Sequence, residues 1–278
     1  MIGATRLFFW LARIEVMQDA SEDALPLPEI EAPREWPQWG WVDVGAAFLI
    51  FAIVTIGVTV LGIAIAPKTP FFSGMSAAEV VKQPLFFIPT QLLSYVIAFL
   101  FVRVYITLKA DEDFWVALHW KWPPVEGVLG NLLLGVALAI IVLLLQTVVP
   151  MPKSLPIEEY FKERISAILM GAFAILVAPL AEEIFFRGLL LPVAARTLTR
   201  VGGVLFVSAL FGLVHSAQLG SALAPILVLF GVGVAFSIRR LRAQSLAAAW
   251  LMHVGYNFTL FALMFWVTRG FTQLDKLR

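Results

Sequence analysis

Gly171-Ala-Phe-Ala-Ile-Leu-Val-Ala-Pro-Leu-Ala-Glu-Glu-Ile-Phe-Phe-Arg-Gly-Leu-Leu-Leu-Pro192 is apolar along most of its length and charged near its centre. It reaches the roughly 20 mostly apolar residues that a membrane helix needs, yet it carries Glu182 and Glu183 side by side near its middle. One acidic side chain at the bilayer centre costs about 2.5 to 3.5 kcal/mol on insertion scales, so an adjacent pair there points first to a functional site.

The rest of the chain has the same apolar character. Of its 278 residues, 60% are hydrophobic and 14% charged, against roughly 45 to 50% and about 25% in soluble domains. Its mean hydropathy is +0.90. The expected fold is an all-α membrane protein, a bundle of about seven transmembrane helices. The expected spans are Val44 to Ala66, Leu85 to Val102, Val128 to Val149, Ala167 to Leu190, Val201 to Ala217, Leu223 to Ile238 and Ser245 to Val267. The fifth and sixth are short enough to be tilted, extended or partly re-entrant. Trp36, Trp39 and Trp41 before the first span, Trp115, Trp120 and Trp122 before the third and Trp266 at the end of the last mark the headgroup level.

Three regions follow: 1–41, an interfacial helix over Leu7 to Val16 and an acidic, Pro-rich linker; 42–150, the first three membrane helices; and 151–278, the helices bearing the candidate site. Lys and Arg are more numerous on the N-terminal side, with Arg239, Arg240 and Arg242 clustered there as a topology anchor, which predicts a cytoplasmic N-terminus. A net charge of +1 gives no global case for nucleic acid, and 0 cysteines exclude disulfides, thiolate chemistry and cysteine-ligated metals.

Spacing then shows which intramembrane polar groups share a face. Glu183 and Arg187 are four apart and predict an ion pair. Glu182, rotated by about 100° from its neighbour, points elsewhere and stays free for chemistry. Pro179 leaves a backbone carbonyl without its usual partner, predicting a kink or water entry. His215 closes the fifth span, four after Phe211, and His253 stacks above Asn257 in the last. The expected boundaries set His215 and Glu182 near opposite surfaces unless the fifth helix is tilted or re-entrant. The blander readings are interhelical hydrogen bonding for Gln91, Asn131 and Gln146, worth about 0.6 kcal/mol each; lipid-facing or packing roles for Phe185, Phe186 and Phe258; and an ordinary loop histidine for His119.

Glu182-Glu183-x-x-x-Arg187, Phe211-x-x-x-His215 and His253-x-x-x-Asn257, in that order, resemble the signature motifs of the CPBP family. These are Abi-type intramembrane endopeptidases that include the type II CAAX prenyl proteases. The resemblance covers roughly Ala167 to Phe261 and implies that Glu182 activates a water with help from His215, while His253 and Asn257 stabilise the oxyanion. Burial and a nearby cation tune paired carboxylates apart, which fits base to Glu182 and scaffold to Glu183. No cofactor is expected. Zinc is the alternative, since two histidines and a glutamate make a catalytic zinc set, but the chain lacks His-Glu-x-x-His. The implied substrate is a membrane-anchored protein or peptide, and the expected location is the plasma membrane, crossed many times. Two other classes are a non-proteolytic Abi-type protein, giving immunity to a peptide toxin or scaffolding a partner, and a transporter with a carboxylate proton relay, which the lack of inverted repeats disfavours.

Overall fold

The computed structural model describes residues 36–152, 155–161 and 163–273. The interfacial helix expected over Leu7 to Val16, most of the linker, and Lys153, Lys162, Lys276 and Arg278 lie outside them. Six helices among the described residues are long and apolar enough to cross a membrane. They are α1 (Trp41–Ile65), α2 (Pro84–Ala110), α3 (Val125–Gln146), α4 (Arg164–Val214), α5 (Leu223–Ala243) and α6 (Leu246–Val267). α4 is interrupted at Thr199, whose φ of 74° and ψ of 162° are not helical. Counting its two arms separately gives the bundle of about seven segments that hydropathy predicts.

The two arms fold back on each other. On a straight helix Phe186 and Phe211 would be more than 35 Å apart at about 1.5 Å per residue, yet their ring centroids are 5.2 Å apart. Gly203 packs so closely on the backbone of Ala195 that an added Cβ would lie 2.6 Å from that residue's nitrogen. Both contacts centre on the break beside Thr199, so α4 is an antiparallel hairpin. The expected obstacle of depth disappears for this reason. The first arm continues well past Leu190 before turning, so Glu182 lies midway along it and opposite His215, where the second arm ends.

α2 is the other boundary that differs, running on to Ala110 past the expected end at Val102. Its last turns keep Lys109 and Tyr105 inside the helix by giving both the same partner. Lys109 pairs with Asp43 at 3.3 Å, and the Tyr105 hydroxyl donates to the same carboxylate. α2 starts with Pro84, whose missing N–H costs nothing at that position, and ends in a left-handed Asp111. Ser245 caps α6 by accepting from Ala248 N–H.

Packing separates a lipid-facing shell from the helices that hold the site. α1 has no buried residue in its most apolar window, and Phe48, Leu49, Ile53, Ile56, Val60 and Leu61 all face outward. α3 and α6 approach through small residues on both sides. A Cβ on Gly135 would lie 2.1 Å from the Met252 carbonyl oxygen, and one on Gly255 would lie 2.3 Å from that of Leu132. At the end of the bundle bearing the α4 turn, the described remnant of the linker is anchored rather than solvated at Trp36 and Trp39. Trp39 is 1% exposed and donates to the Leu189 carbonyl at 2.9 Å, Trp36 donates to that of Ala117, and Arg196 holds the carbonyls of Pro37 and Trp39. Arg240 is likewise buried, with the Leu118 carbonyl and the Trp36 ring as partners, so it is a core residue as well as a basic one.

Two π-helical stretches, Phe173–Val177 and Ile184–Leu190, bracket a short α segment, Ala178–Glu183. Each ends two residues before a proline, Pro179 or Pro192, which has no N–H to give the preceding turn. π turns recur at functional sites, and the segment between these two carries both glutamates.

Candidate active site

Glu183 is fully buried and engaged through one carboxylate oxygen, while its Oε2 is buried without a hydrogen-bond partner. One of its oxygens accepts from Arg187 Nη1 at 3.1 Å and faces His253 Nδ1 at 3.0 Å. The ion pair that the four-residue spacing predicts is therefore formed, and a second partner, unforeseen, arrives from α6. Arg187 is buried too. It donates to the Gly233 carbonyl on α5 at 3.1 Å and lies over the ring of Phe211 at 4.4 Å, with Phe236 and Phe186 slightly farther. Three aromatic faces around a desolvated guanidinium compensate part of its lost hydration. Phe211 also orients a histidine, because its carbonyl meets His215 Nδ1 at 2.6 Å.

Glu182 points the other way, as the helical rotation requires. Its side chain retains 20% exposure against 0% for Glu183. One carboxylate oxygen lies 3.8 Å from His215 Nε2 and the other 3.8 Å from His253 Nε2. These separations exceed direct hydrogen-bond length. A carbonyl and an ionised carboxylate only accept, so Nδ1 carries the hydrogen in both rings, held by Phe211 on one side and Glu183 on the other. Both Nε2 atoms are thereby turned toward Glu182. Two carboxylates and one guanidinium leave a formal net negative charge in an apolar interior, with two imidazoles beside it.

Asn257 is on the expected face of α6, but its Nδ2 donates to the Ala174 carbonyl on α4 at 2.7 Å. One of its two N–H groups is thus committed to backbone. Five of the six candidate residues, Glu182, Glu183, Arg187, His215 and His253, form one contiguous cluster, and Asn257 adjoins it a turn beyond His253. Residues 164–259 match the family model described as type II CAAX prenyl endopeptidase Rce1-like.

The CPBP resemblance of the three motifs is shown by that match. The Rce1-like segment contains all six candidate residues and the whole of α5, while α1, α2 and α3 lie outside it. Comparison with curated proteins gives no significant match, and neither does comparison with solved structures. Six helices among the described residues are long and apolar enough to cross a membrane, and the segment that resembles a CAAX protease spans residues 164–259.

Two contributors to the site were not legible in its motifs. Tyr95 on α2 stacks on Phe173 with ring centroids 5.8 Å apart, and its phenol is within electrostatic reach of Glu182, with the Gln91 amide beside it. Gln91 thus has a hydrogen-bond partner one turn along its own helix. Phe236 lies nearly parallel to His253 at 4.3 Å and fixes the ring from behind. Neither residue belongs to a motif, and α2 lies outside the Rce1-like segment. The one signal in the sequence was a tyrosine in mid-span, four residues after a glutamine. His119 stays apart from this cluster, stacked on Trp36 at 4.2 Å. Asn131 receives Arg239 at 2.5 Å, so its role is to satisfy a basic side chain.

Proposed function

We propose that this protein is an intramembrane endopeptidase in which Glu182 activates a water for attack on a peptide bond of a membrane-anchored protein or peptide. The observation that carries this reading is the division of labour between neighbours. Glu183 is spent on Arg187 and His253, while Glu182 keeps its exposure and faces two imidazole Nε2 atoms at 3.8 Å each. A carboxylate and a neutral Nε2 are both acceptors, and a separation of this size suits one water donating to both. Such a water is polarised by Glu182 and His215 together, which is general-base catalysis.

In the same reading His253, flanked by a carboxylate on either side, donates from a protonated Nε2 to the developing oxyanion. The second N–H of Asn257 supports it. A single well-aimed donor of this kind contributes about 2.7 to 4 kcal/mol. Glu183 and Arg187 hold His253 in place. The proton accepted by Glu182 passes to the leaving amine, so the site returns to its starting charge.

Two imidazoles and a carboxylate are also a zinc donor set, the alternative for this site. Among the described residues, no group of three or more His, Asp or Glu side chains is spaced to hold a metal ion. The metal-free route is the one proposed, because the chain lacks the His-Glu-x-x-His helix that preorganises catalytic zinc sites. Loss of cleavage on chelation, restored by zinc, would overturn that choice. A cytoplasmic N-terminus belongs to the same proposal and rests on the distribution of Lys and Arg, and plasma-membrane location is proposed with it.

The deciding experiment compares peptide fragments released in membranes containing the wild type and Glu182→Gln, with insertion verified. Cleavage that disappears in Glu182→Gln supports the reading. Undiminished biological activity in that variant would instead favour the non-proteolytic scaffold, and proton-coupled flux in reconstituted vesicles would favour transport.

A further inference from the structure

The π stretch Phe173–Val177 changes the hydrogen-bond register immediately before the glutamates. Its bonds run from N–H to the carbonyl five residues earlier, as Ala178 N–H to Phe173 oxygen illustrates. The next carbonyl in that register, Ala174, would take the N–H of residue 179. That residue is Pro179 and has none. Inside a bilayer an unpaired backbone carbonyl has no water to turn to, and leaving it so is costly. Asn257 Nδ2 donates to this oxygen at 2.7 Å.

We infer that Asn257 is a positioning residue for Glu182: by donating to the carbonyl orphaned by Pro179, it fixes the bend of α4 and the register of α4 against α6. Two bonds define that register, Asn257 to Ala174 and His253 to Glu183. Asn257 and His253 lie one turn apart on the same face of α6, so the two points are held by a single rigid edge. Between Ala174 and Glu182 the chain makes about two turns, so relaxation of the π stretch to an α register swings Glu182 around the helix axis by a large fraction of its spacing to Glu183. The Glu183 anchor is downstream of that swing and, alone, does not prevent it. The role is separate from donation to an oxyanion, since a carboxamide has one N–H for each purpose.

This inference deepens the peptidase reading, and the test separates the two. Turnover of a reporter peptide and thermal stability are measured in nanodiscs for wild type, Asn257→Ala, Pro179→Ala and the double variant. Alanine at 179 returns an N–H to the orphaned turn. The expected result is non-additive: Asn257→Ala lowers turnover at least tenfold in kcat and lowers the melting midpoint, and both losses shrink by more than half in the Pro179→Ala background. Equal losses in the two backgrounds would overturn the inference and leave Asn257 acting on the reacting atoms alone. Should Asn257→Ala fail to accumulate, its recovery in the Pro179→Ala background is the expected outcome, and failure in both is the contrary one. If Glu182→Gln cleaves as well as wild type, the peptidase reading falls. The inference is then judged on the thermal cycle, where additive losses refute it.

Discussion

Arg187→Met tests the electrostatic core of the site. The substitution nearly preserves the length of the side chain and removes its charge, stranding Glu183 in a place with no exposure. Removing one partner of a buried ion pair costs about 3 to 5 kcal/mol, and a lone carboxylate in the bilayer interior about 2.5 to 3.5 kcal/mol. His253 still meets Glu183 at 3.0 Å, so the lower end applies. About 3 kcal/mol is roughly a hundredfold in the unfolding equilibrium. The double variant Glu183→Gln/Arg187→Met removes both charges and is expected to lose less than half as much, since well-packed neutral groups replace a buried pair at little cost. The assay is reversible unfolding in mixed micelles by titration with a denaturing detergent, followed by near-ultraviolet circular dichroism. A double variant as unstable as Arg187→Met, or more so, would refute the view that the stranded charge is the source of the damage.

Three further outcomes are expected. Gly255→Ala pushes a methyl group against the Leu132 carbonyl, 2.3 Å away, and destabilises by about 1 to 3 kcal/mol, whereas Gly57→Ala, with nothing within 4 Å, is harmless in the same unfolding assay. Tyr95→Phe lowers kcat about tenfold with KM unchanged if its phenol acts on the charge at Glu182; an unchanged kcat would reduce Tyr95 to packing. The His119 imidazole is held below its ordinary value of 6.5 by burial first and then by Arg240 and Lys121. The unfolded chain therefore takes up that proton more readily, and stability falls as pH drops below about 6.5. Melting midpoints measured between about pH 7.5 and about pH 5 are expected to fall less steeply in His119→Asn.

The bundle was legible because twenty-residue apolar runs have few alternatives. The faces of its helices were not, because lipid-facing and core-facing positions are equally apolar. α1 and α2 give no contrast between Leu49, which meets lipid, and Val102, which is buried. The convergence of Glu182, Glu183, Arg187, His215 and His253 could be read because ionisable groups in an apolar chain are few and need one another. The placement of His215 could not, since it depends on where the first arm of α4 turns. Leu-rich sequence runs through Leu190 without a break, and Thr199 is an unremarkable residue for a reversal. Pro179 announced an orphaned carbonyl, but which one was set by the π register, which hydropathy does not encode. Asn257 could be assigned to the chemistry by its motif and to α6 by its spacing. Its bond to Ala174 emerged only from the three-dimensional structure.

The reversal at Thr199 works as a ruler. Nearly equal arm lengths bring a carboxylate and an imidazole from residues far apart in sequence to the same height. Lengthening either arm by one residue between the turn and the cluster displaces its reactive group by about 1.5 Å and rotates it by about 100°. Insertions there should be as disabling as deleting the carboxylate, even where every motif letter survives. Length, in this stretch of the polypeptide, is as much a part of the active site as composition.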